Sequence, residues 1–249
     1  MKHTEKELQE LKDEVSQMWR LVLSQLEKSK QAFLNNDLEQ AREVISREKR
    51  VDAFELKIDS DCENYIALYS PVAVDLRLVL SLIKISSTLE RIGDFAKGIA
   101  YHVIDDDCNK ISPQLIEALQ LEKMFETLIL MLADSFVALE SENTKISGKI
   151  LAKDDEIDTL YHNSVDILAN YITENKNLKT ENEKAEKSLS TLNSQLSTQK
   201  ARCGLKLMLL IRKLERIGDH CSNIVEEIVF YVDAKVLKHS ESGKLKIEN

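Results

Sequence analysis

Apolar residues recur at alternating intervals of four and three positions along two long segments of the chain. An α-helix with this spacing has an apolar stripe on one face, and the alternation is typical of helices that pack in bundles. In the first segment the stripe consists of Leu78, Leu82, Ile85, Leu89, Ile92, Ala96, Ile99 and Val103. In the second segment it consists of Cys203, Leu207, Leu210, Leu214, Ile217, Cys221, Ile224 and Ile228. The two stripes therefore predict two equivalent helices, each with one buried face.

Capping residues indicate where further helices begin. Asp37 with Gln40 three residues later predicts a capping box at a helix start. Ser-Pro pairs at 70–71 and 112–113 predict two more starts, each with a hydroxyl cap followed by proline at the first helical position. The six predicted helices begin near residues 5, 37, 71, 113, 145 and 200, and a polar tail follows from about residue 238.

The hexapeptide LERIGD occurs twice, at residues 89–94 and 214–219, so its copies are 214 − 89 = 125 residues apart in a chain of 249. A six-residue identity between the halves is expected by chance in roughly one such chain in a thousand. Duplication is the better explanation, and it predicts an all-α fold of two repeated three-helix bundles. The predicted units cover residues 1–108 and 109–237, and the tail covers 238–249.

An earlier part of each half also aligns, although with a different offset. Val51 matches Ile157 and Tyr65 matches Tyr171, which is an offset of 157 − 51 = 106 residues. The two offsets differ by 125 − 106 = 19 residues, which indicates an insertion in the second half. The polar stretch at 175–195 is the predicted place of this insertion, either as a helical extension or as a loop.

The composition fits long helices and excludes several classes of function. Only 6 Gly and 2 Pro occur, so the residues that interrupt helices most strongly are rare. A formal charge of −9 disfavours attraction to nucleic acid or anionic lipid, and no direct nucleic-acid partner is expected. The absence of a signal-peptide pattern and of an apolar run of about 18 residues predicts a cytoplasmic protein without membrane insertion. The four cysteines form no C-x-x-C pair and are expected to be reduced thiols.

Each of the four aligned helices has two acidic residues four positions apart. This spacing places the two carboxylates of a pair on the same face of the helix. The candidate metal ligands are Glu48 with Asp52, Glu90 with Asp94, Asp154 with Asp158, and Glu215 with Asp219. Because two pairs belong to neighbouring helices of each predicted unit, four carboxylates are expected to converge in each half.

A single acidic pair with this spacing is weak evidence for a metal site. With 43 acidic residues in 249, about seven such pairs arise by chance, and each can be a solvated face with surface ion pairs. Recurrence at matched places in both halves favours a site. Two carboxylates about 6 Å apart repel by about 3 kcal/mol at an effective dielectric constant of about 20, so a convergent cluster favours a bound cation. Oxygen ligands select hard divalent or trivalent ions, and the candidates are iron, manganese, magnesium and calcium.

Three residues beside the acids have two interpretations each. His220 follows Asp219 and would extend the ligand set, but Phe95 stands at the matching place in the first half, so the ligand role is the weaker interpretation. Gly93 and Gly218 each cost about 1 kcal/mol inside a helix, so a local reason is expected. Close helix packing is favoured, and backbone access beside the acids for an ion or a partner is the alternative.

These residues resemble the PhoU family of phosphate-uptake regulators. The resemblance lies in SPVAVDLRLVLSLIKISSTLERIGD in the first half and ARCGLKLMLLIRKLERIGDH in the second, together with the acidic pairs on the preceding helices. It implies two three-helix bundles packed side by side, with metal clusters on their surfaces. The acidic motif of the family corresponds to the eight acids named above.

The resemblance also implies a function and partners. It implies negative regulation of phosphate uptake and of phosphate-starvation signalling through protein–protein contacts. The implied partners are a phosphate ABC transporter, a phosphate-responsive sensor histidine kinase and a second copy of the chain in a homodimer. A position at the inner membrane would then come from contacts with partners.

Two other functions remain open. A helical adaptor without metal would use the acids for solubility and offer apolar residues such as Leu76, Leu80 and Ile83 to its partners. A carboxylate-bridged di-metal oxidase would place paired Glu residues in a four-helix core, but such sites include Glu-x-x-His, which occurs nowhere in this chain. An enzyme is therefore not expected, and no catalytic residues are assigned.

Overall fold

The computed structural model describes residues 3–105, 111–173, 183–239 and 245–248. In chain order the α-helices are α1 (His3–Asn35), α2 (Leu38–Tyr69), α3 (Ala73–Ile104), α4 (Pro113–Ala118), α5 (Leu121–Glu140), α6 (Ser147–Thr173) and α7 (Glu183–Asp233). A short 3-10 turn at Thr144–Ile146 precedes α6. An antiparallel ribbon follows α7 and consists of β1 (Val236–His239) and β2 (Leu245–Glu248). None of the described helices combines the length and the apolarity that crossing a membrane requires.

The helices form two three-helix groups that lie side by side. α1, α2 and α3 pack against one another, as do α5, α6 and α7. α3 packs along α7 and α1 along α5, so the two groups share one continuous hydrophobic core. The predicted all-α fold with two repeated three-helix bundles is confirmed. The predicted unit boundary at 108/109 falls outside the described residues and stays a prediction.

The apolar stripes predicted from the sequence are the faces that α3 and α7 bury. All eight stripe residues of α3 are buried, as are seven of the eight on α7. The exception is Cys203, which is partly exposed and disulfide-bonded, so the expectation of a reduced thiol there is wrong. Cys62 and Cys221 are free and buried, as expected. Cys108 lies outside the described residues.

α3 and α7 run antiparallel to each other. Near the start of α3, Arg77 Nε donates to the carbonyl oxygen of Tyr231 near the end of α7, at 3.3 Å. Just past the opposite end of α3, Asp105 Oδ2 lies 2.7 Å from Lys206 Nζ of α7. The two copies of the repeated helix therefore face each other along the centre of the molecule.

The predicted helix starts at Asp37 and Ser112 are confirmed. Asp37 Oδ1 accepts hydrogen bonds from the backbone N–H groups of Glu39 and Gln40, and Gln40 Nε2 donates to Asp37 Oδ2. Ser112 Oγ accepts from the backbone N–H of Leu115, with proline at the start of the helix. These bonds satisfy N–H groups that have no acceptor within the helix.

The predicted helix cap at Ser70 is wrong. Ser70 ends α2 in the left-handed conformation, with φ of 45°, and its N–H donates to the carbonyl oxygen of Ile66. The next helix begins only at Ala73, where the N-cap residue Val72 makes no side-chain hydrogen bond. Pro71 disfavours the right-handed helical conformation of the residue before it, so the Ser-Pro pair ends one helix instead of starting the next.

Three segments differ in extent from the prediction. Gln120 adopts a left-handed conformation, with φ of 50°, and separates the short α4 from α5, so the described residues contain seven α-helices where six were predicted. α7 begins at Glu183 instead of near residue 200, which makes the later part of the insertion helical. The earlier part, residues 175–182, lies outside the described residues. Within the predicted polar tail, residues 238–239 and 245–248 belong to the two-stranded ribbon.

Candidate functional site

The eight predicted acids lie in two groups, each on a pair of adjacent helices. The first acidic cluster consists of Glu48 and Asp52 on α2 and Glu90 and Asp94 on α3. The second acidic cluster consists of Asp154 and Asp158 on α6 and Glu215 and Asp219 on α7. α2 packs against α3, and α6 packs against α7. The duplication therefore places two acidic pairs at each of two corresponding helix–helix contacts.

Glu90 is within electrostatic reach of the other three acids of the first cluster. Its pKa is raised to about 7, mainly by burial and then by the negative charges of Asp94, Glu55, Asp52 and Glu48. The structure therefore brings the acids of α2 close to those of α3. Glu55 is an additional acid that the sequence analysis missed, although its spacing of three residues from Asp52 places both on one helix face.

A lysine lies within the first acidic cluster. Lys97 Nζ is 2.6 Å from Glu48 Oε1 and 3.5 Å from Asp94 Oδ1. The hydrogen bond to Glu48 is the main reason why the pKa of Lys97 is raised. Because Glu48 is buried, this ammonium group replaces water as the partner of its charge. Lys97 was not among the predicted site residues, although it follows Asp94 by three residues on the same helix.

In the second acidic cluster, Glu215 responds to its charged neighbours. Burial raises its pKa, and the negative charges of Asp219 and Asp158 raise it further, whereas Arg216 and Arg212 lower it. Arg216 is exposed, and its Nη1 lies 3.4 Å from Asp219 Oδ2. Two other acids of this cluster, Asp158 and Asp219, therefore lie within electrostatic reach of Glu215.

Asp154, the fourth acid of the second cluster, is buried against α7. Its Oδ2 accepts a hydrogen bond of 2.6 Å from Ser222 Oγ. Its Oδ1 lies 2.5 Å from the position that a Cβ atom at Gly218 would take. The carboxylate therefore contacts the backbone of α7, and glycine is the residue that leaves room for it. Close packing against Asp154, Leu128 and Ile157 therefore explains Gly218, which is the favoured interpretation from the sequence.

Gly93 stands at the matching place in α3 and has different neighbours. A Cβ atom there would lie 3.3 Å from Val51 Cγ1 and 3.4 Å from Gln25 Oε1. Val51 belongs to α2 and Gln25 to α1, and both are buried. Close packing of α3 against two helices therefore explains this glycine.

His220 packs between the two units. Its ring is buried and stacks on the ring of Phe95, with the centroids 5.6 Å apart and an interplanar angle of 26°. Burial lowers the pKa of His220 to about 4, and the positive charges of Arg91 and Arg216 lower it further. Phe95 and His220 are matching residues of the repeat, since 220 − 95 = 125. This contact gives His220 a packing role at the centre of the α3–α7 contact.

Within the described residues, no three Asp, Glu, His or Cys side chains lie close enough together to hold one metal ion. The donors of both clusters are carboxylate oxygens, which hard cations prefer. In the first cluster the Lys97 ammonium pairs with Glu48 and lies near Asp94, so a positive charge is already present beside these two carboxylates. Burial is the largest cause of the raised pKa values of Glu90 and Glu215, and the negative charge of neighbouring acids adds to it. The donor atoms therefore suit a hard cation in type, whereas the described side chains are not gathered around one point.

Comparisons with known proteins cover nearly the whole chain. The sequence model of the PhoU domain matches residues 15–103 and again residues 121–228. The phosphate-specific transport system accessory protein PhoU of Edwardsiella tarda is 31% identical over 233 residues, which are 94% of this chain and 86% of that protein. Its namesake from Escherichia coli strain K12 is 30% identical over 239 residues, which are 96% of this chain and 89% of that protein.

Two solved structures share the fold. The phosphate transport system regulatory protein PhoU from Streptococcus pneumoniae has a TM-score of 0.74 at 26% identity, with 95% of this chain and 100% of that chain covered. PhoU from Pseudomonas aeruginosa has a TM-score of 0.78 at 23% identity, with 92% and 99% covered, and supports the fold alone. Each acidic cluster lies entirely within one of the two matched segments. With two copies of the domain over most of its length, the chain belongs to the PhoU family.

Proposed function

We propose that the chain is a regulatory accessory protein of a phosphate-specific transport system, which restrains phosphate uptake and phosphate-starvation signalling when phosphate is plentiful. The observation that carries the proposal is the match, over 94% and 96% of the chain, to relatives named as accessory proteins of that system. The relative from Streptococcus pneumoniae is named as a regulatory protein of phosphate transport. These names support regulation instead of catalysis.

The proposed partners are a phosphate ABC transporter and a phosphate-responsive sensor histidine kinase, with a second copy of the chain as a third. Several apolar side chains on the helix surfaces are available for such contacts, among them Leu56 with 70% and Leu68 with 74% of its surface exposed. Contacts with membrane proteins from the cytoplasmic side would place the chain at the inner membrane without a membrane-crossing helix.

We further propose that both acidic clusters bind metal ions, with iron, manganese and magnesium as candidates. The proposed ligands are Glu48, Asp52, Glu90 and Asp94 in the first cluster and Asp154, Asp158, Glu215 and Asp219 in the second. A bound cation would supply the positive charge that relieves repulsion between carboxylates on adjacent helices. Relief of that repulsion would hold α2 against α3 and α6 against α7, and so stiffen the surface that partners contact.

Deletion of the gene in the organism that encodes the chain tests the regulatory role. In phosphate-rich medium, where a restraining protein acts, we expect the deletion strain to continue rapid uptake of radiolabelled phosphate. Reintroduction of the gene is expected to restore the low rate. Equal uptake by the deletion and parent strains in that medium would reject the regulatory proposal.

Elemental analysis of the purified full chain tests the metal proposal. We expect Glu90→Gln with Asp94→Asn to remove the metal of the first cluster, and Glu215→Gln with Asp219→Asn to remove that of the second. Circular dichroism is expected to show retained helices, because none of the four changed side chains is fully buried. A matched control, Glu117→Gln with Glu122→Gln, changes two acids outside the clusters and should leave the metal content unchanged.

A helical adaptor without metal is the second candidate. It is favoured by the finding that no three potential ligands meet within the described residues. Of the apolar residues first suggested for its contacts, Leu80 is exposed, whereas Leu76 and Ile83 are partly buried. This candidate predicts that the wild-type chain and both double variants contain no bound metal and restrain phosphate uptake equally.

A further inference from the structure

An open groove lies on the surface between α3 and α7, beside the stacked rings of Phe95 and His220. It has a volume of about 320 Å³. Side chains with hydrogen-bond donors line it from both helices, namely Ser87 and Arg91 on α3 and His220 and Asn223 on α7. The two acidic clusters include none of these four residues, so the groove is a separate feature of the α3–α7 contact.

His220 is a buried donor that lines this groove. The residue is 7% exposed, and it makes no hydrogen bond to any residue that the structure describes. An imidazole has at least one N–H in either protonation state, so the ring has a donor to satisfy. Buried donors in folded proteins are nearly always paired. The groove is therefore the place from which an acceptor can approach His220.

Two arginines of the repeated LERIGD motif lie near the same ring. Arg91 and Arg216 are matching residues, since 216 − 91 = 125, and the positive charges of both act on His220. Arg216 has an acidic partner, because its Nη1 lies 3.4 Å from Asp219 Oδ2. Arg91 forms no ion pair with any described residue, although the chain has a formal charge of −9. An arginine without an acidic partner, at the wall of an open groove, favours an anionic ligand there.

We propose that this groove binds a phosphate group, either as inorganic phosphate or as the phosphoryl group of a larger anion. Arg91 donates to it from α3, and His220 and Asn223 donate from α7. Donors on two sides suit a tetrahedral oxyanion, which presents oxygens in several directions. The hydroxyl of Ser87 is a further donor, since it makes no hydrogen bond within the described part of the chain. This site goes beyond the proposed regulatory function and does not depend on metal binding.

The acids of the groove lie toward its other end. Glu227 Oε1 is 2.8 Å from Lys84 Nζ, so an ammonium compensates its charge. Glu226 and Glu227 follow His220 by six and seven residues, which is a rise of about 9–10 Å along the helix. The anion is therefore expected beside His220 and Arg91, away from both glutamates.

The matching space in the second unit is filled by a side chain. There the repeat places Lys213 where the groove has Thr88, and Gly98 where it has Asn223, with offsets of 213 − 88 = 125 and 223 − 98 = 125. Cε of Lys213 lies 2.7 Å from the position that a Cβ atom at Gly98 would take, so the lysine lies across this glycine. The shorter Thr88 leaves the corresponding space open in the first unit. Only the half that contains His220 and Asn223 thus offers this groove among the described residues.

Nuclear magnetic resonance titration of the ¹⁵N-labelled full chain with inorganic phosphate tests the site, at constant pH and with chloride to balance ionic strength. We expect saturable shifts of the side-chain signals of Arg91 and His220. Arg91→Gln should weaken binding at least about tenfold, because a charge-assisted hydrogen bond is lost. His220→Phe keeps a ring but lacks the N–H, and it should weaken binding about three- to tenfold.

Two further variants separate the groove from general charge effects. Arg42→Gln removes an exposed arginine of α2 outside the groove and should leave the affinity within about twofold of the parent. Thr88→Met fills the groove with an unbranched, uncharged side chain and is expected to abolish binding without a change in net charge. Ser87→Met serves the same purpose if Thr88→Met does not fold. A parallel titration with glycerol 3-phosphate distinguishes free phosphate from a phosphoryl group on a larger molecule.

The results separate this site from the regulatory role. Shifts that do not saturate, or equal weakening by Arg91→Gln and Arg42→Gln, would overturn the inference, because general attraction between charges would then explain them. Full affinity in a folded variant with methionine at 87 or 88 would place the phosphate elsewhere and overturn it as well. If neither phosphate nor glycerol 3-phosphate binds, while the gene still restores low uptake in the deletion strain, this site is rejected and the regulatory proposal stands.

Discussion

Gly93 and Gly218 stand at the same place in the two copies of LERIGD, yet they face different neighbours. Gly93 lies against Val51 and Gln25, whereas Gly218 lies against the carboxylate of Asp154. The difference shows that the duplication preserved the helix positions and the apolar stripe while the contacts beside the acids diverged. A shared motif therefore identifies equivalent positions, but the neighbouring helix decides what each position does.

The largest expected difference between the units comes from alanine at these two glycines. Gly218→Ala places a Cβ atom 2.5 Å from Asp154 Oδ1 and must displace a buried carboxylate, so we expect it to lower the free energy of unfolding by about 2–4 kcal/mol. Gly93→Ala meets Val51 at 3.3 Å and gains about 1 kcal/mol of helix propensity, so its net effect should stay within about 1 kcal/mol. Urea denaturation measures both, and equal losses would contradict the proposed difference.

The next largest expected difference is between the two hydrogen-bond donors to the buried acids, measured as the loss of unfolding free energy when each donor is replaced. Ser222→Ala removes the hydroxyl that donates to Asp154 Oδ2, and we expect the free energy of unfolding to fall by about 1–2 kcal/mol. Lys97→Ser removes the ammonium partner of Glu48, but the Lys97 side chain is 27% exposed and the smaller serine lets water reach the carboxylate, so in the metal-free chain the change should cost less than about 1 kcal/mol. Thermal unfolding of the metal-free protein shows which substitution lowers stability more. A larger loss for Lys97→Ser than for Ser222→Ala would contradict this prediction.

The acids of α3 and α7 should differ in how they link stability to pH. The pKa of Glu90 is raised from 4.5 to about 7, so the folded state binds more protons than the unfolded state between these values. Its contribution is present below pH 4.5 and is lost as the pH rises through 7. We therefore expect Glu90→Gln to remove a decline in the stability of the metal-free chain over that window. Glu215→Gln should flatten the profile less, because Arg216 and Arg212 oppose the repulsion there.

Urea denaturation at intervals between pH 5 and pH 8 measures these profiles, with chelator present throughout. A variant with both glutamines is expected to show the sum of the two changes, since the clusters lie on different helix pairs. A decline that persists in Glu90→Gln would mean that another group causes it.

The smallest expected effect comes from the central pair of rings. His220→Phe installs the residue that the first unit has at this place, and near pH 7 it should change stability by less than about 1 kcal/mol. The pKa of His220 is lowered from 6.5 to about 4, so its contribution is present above 6.5 and is lost as the pH falls through 4. The variant should therefore resist acid better than the parent between these values. Thermal unfolding at pH 5 and pH 7 checks this. If the variant and the parent lose the same stability between pH 7 and pH 5, a group other than His220 causes the loss.

The parts of the fold that depend on local pattern could be predicted from the sequence. The apolar stripes of α3 and α7 follow from helical periodicity, and the caps at Asp37 and Ser112 follow from side chains that bond to nearby N–H groups. Ser70 shows the limit of such reasoning, because a hydroxyl before proline can end a helix as well as start one. The sequence left open whether the stretch at 175–195 is a helical extension or a loop, because its polar residues suit both, and the part from Glu183 is helical.

The candidate site could be predicted only in its outline. The repeat identified two sets of acids on neighbouring helices, but it did not show that Asp154 turns toward Ser222 while Glu48 pairs with Lys97. Those contacts depend on how far each helix is rotated and on the rotamers of long side chains. The spacing of residues along one helix fixes neither the rotation of the helix nor these rotamers. For the same reason it did not show that Gly93 and Gly218 have different neighbours.

Phe95 and His220 are matching residues of the repeat that touch across two antiparallel helices, so a twofold axis relating α3 to α7 would pass close to their contact. In a dimer of two identical three-helix chains, the residue on such an axis meets its own copy, and one mutation alters both sides at once. Fusion of the copies into a single polypeptide removes that constraint, because each side now has its own codon. The unlike residues at 95 and 220, and likewise at 97 and 222, are differences that a symmetric ancestor of this kind had no means to encode.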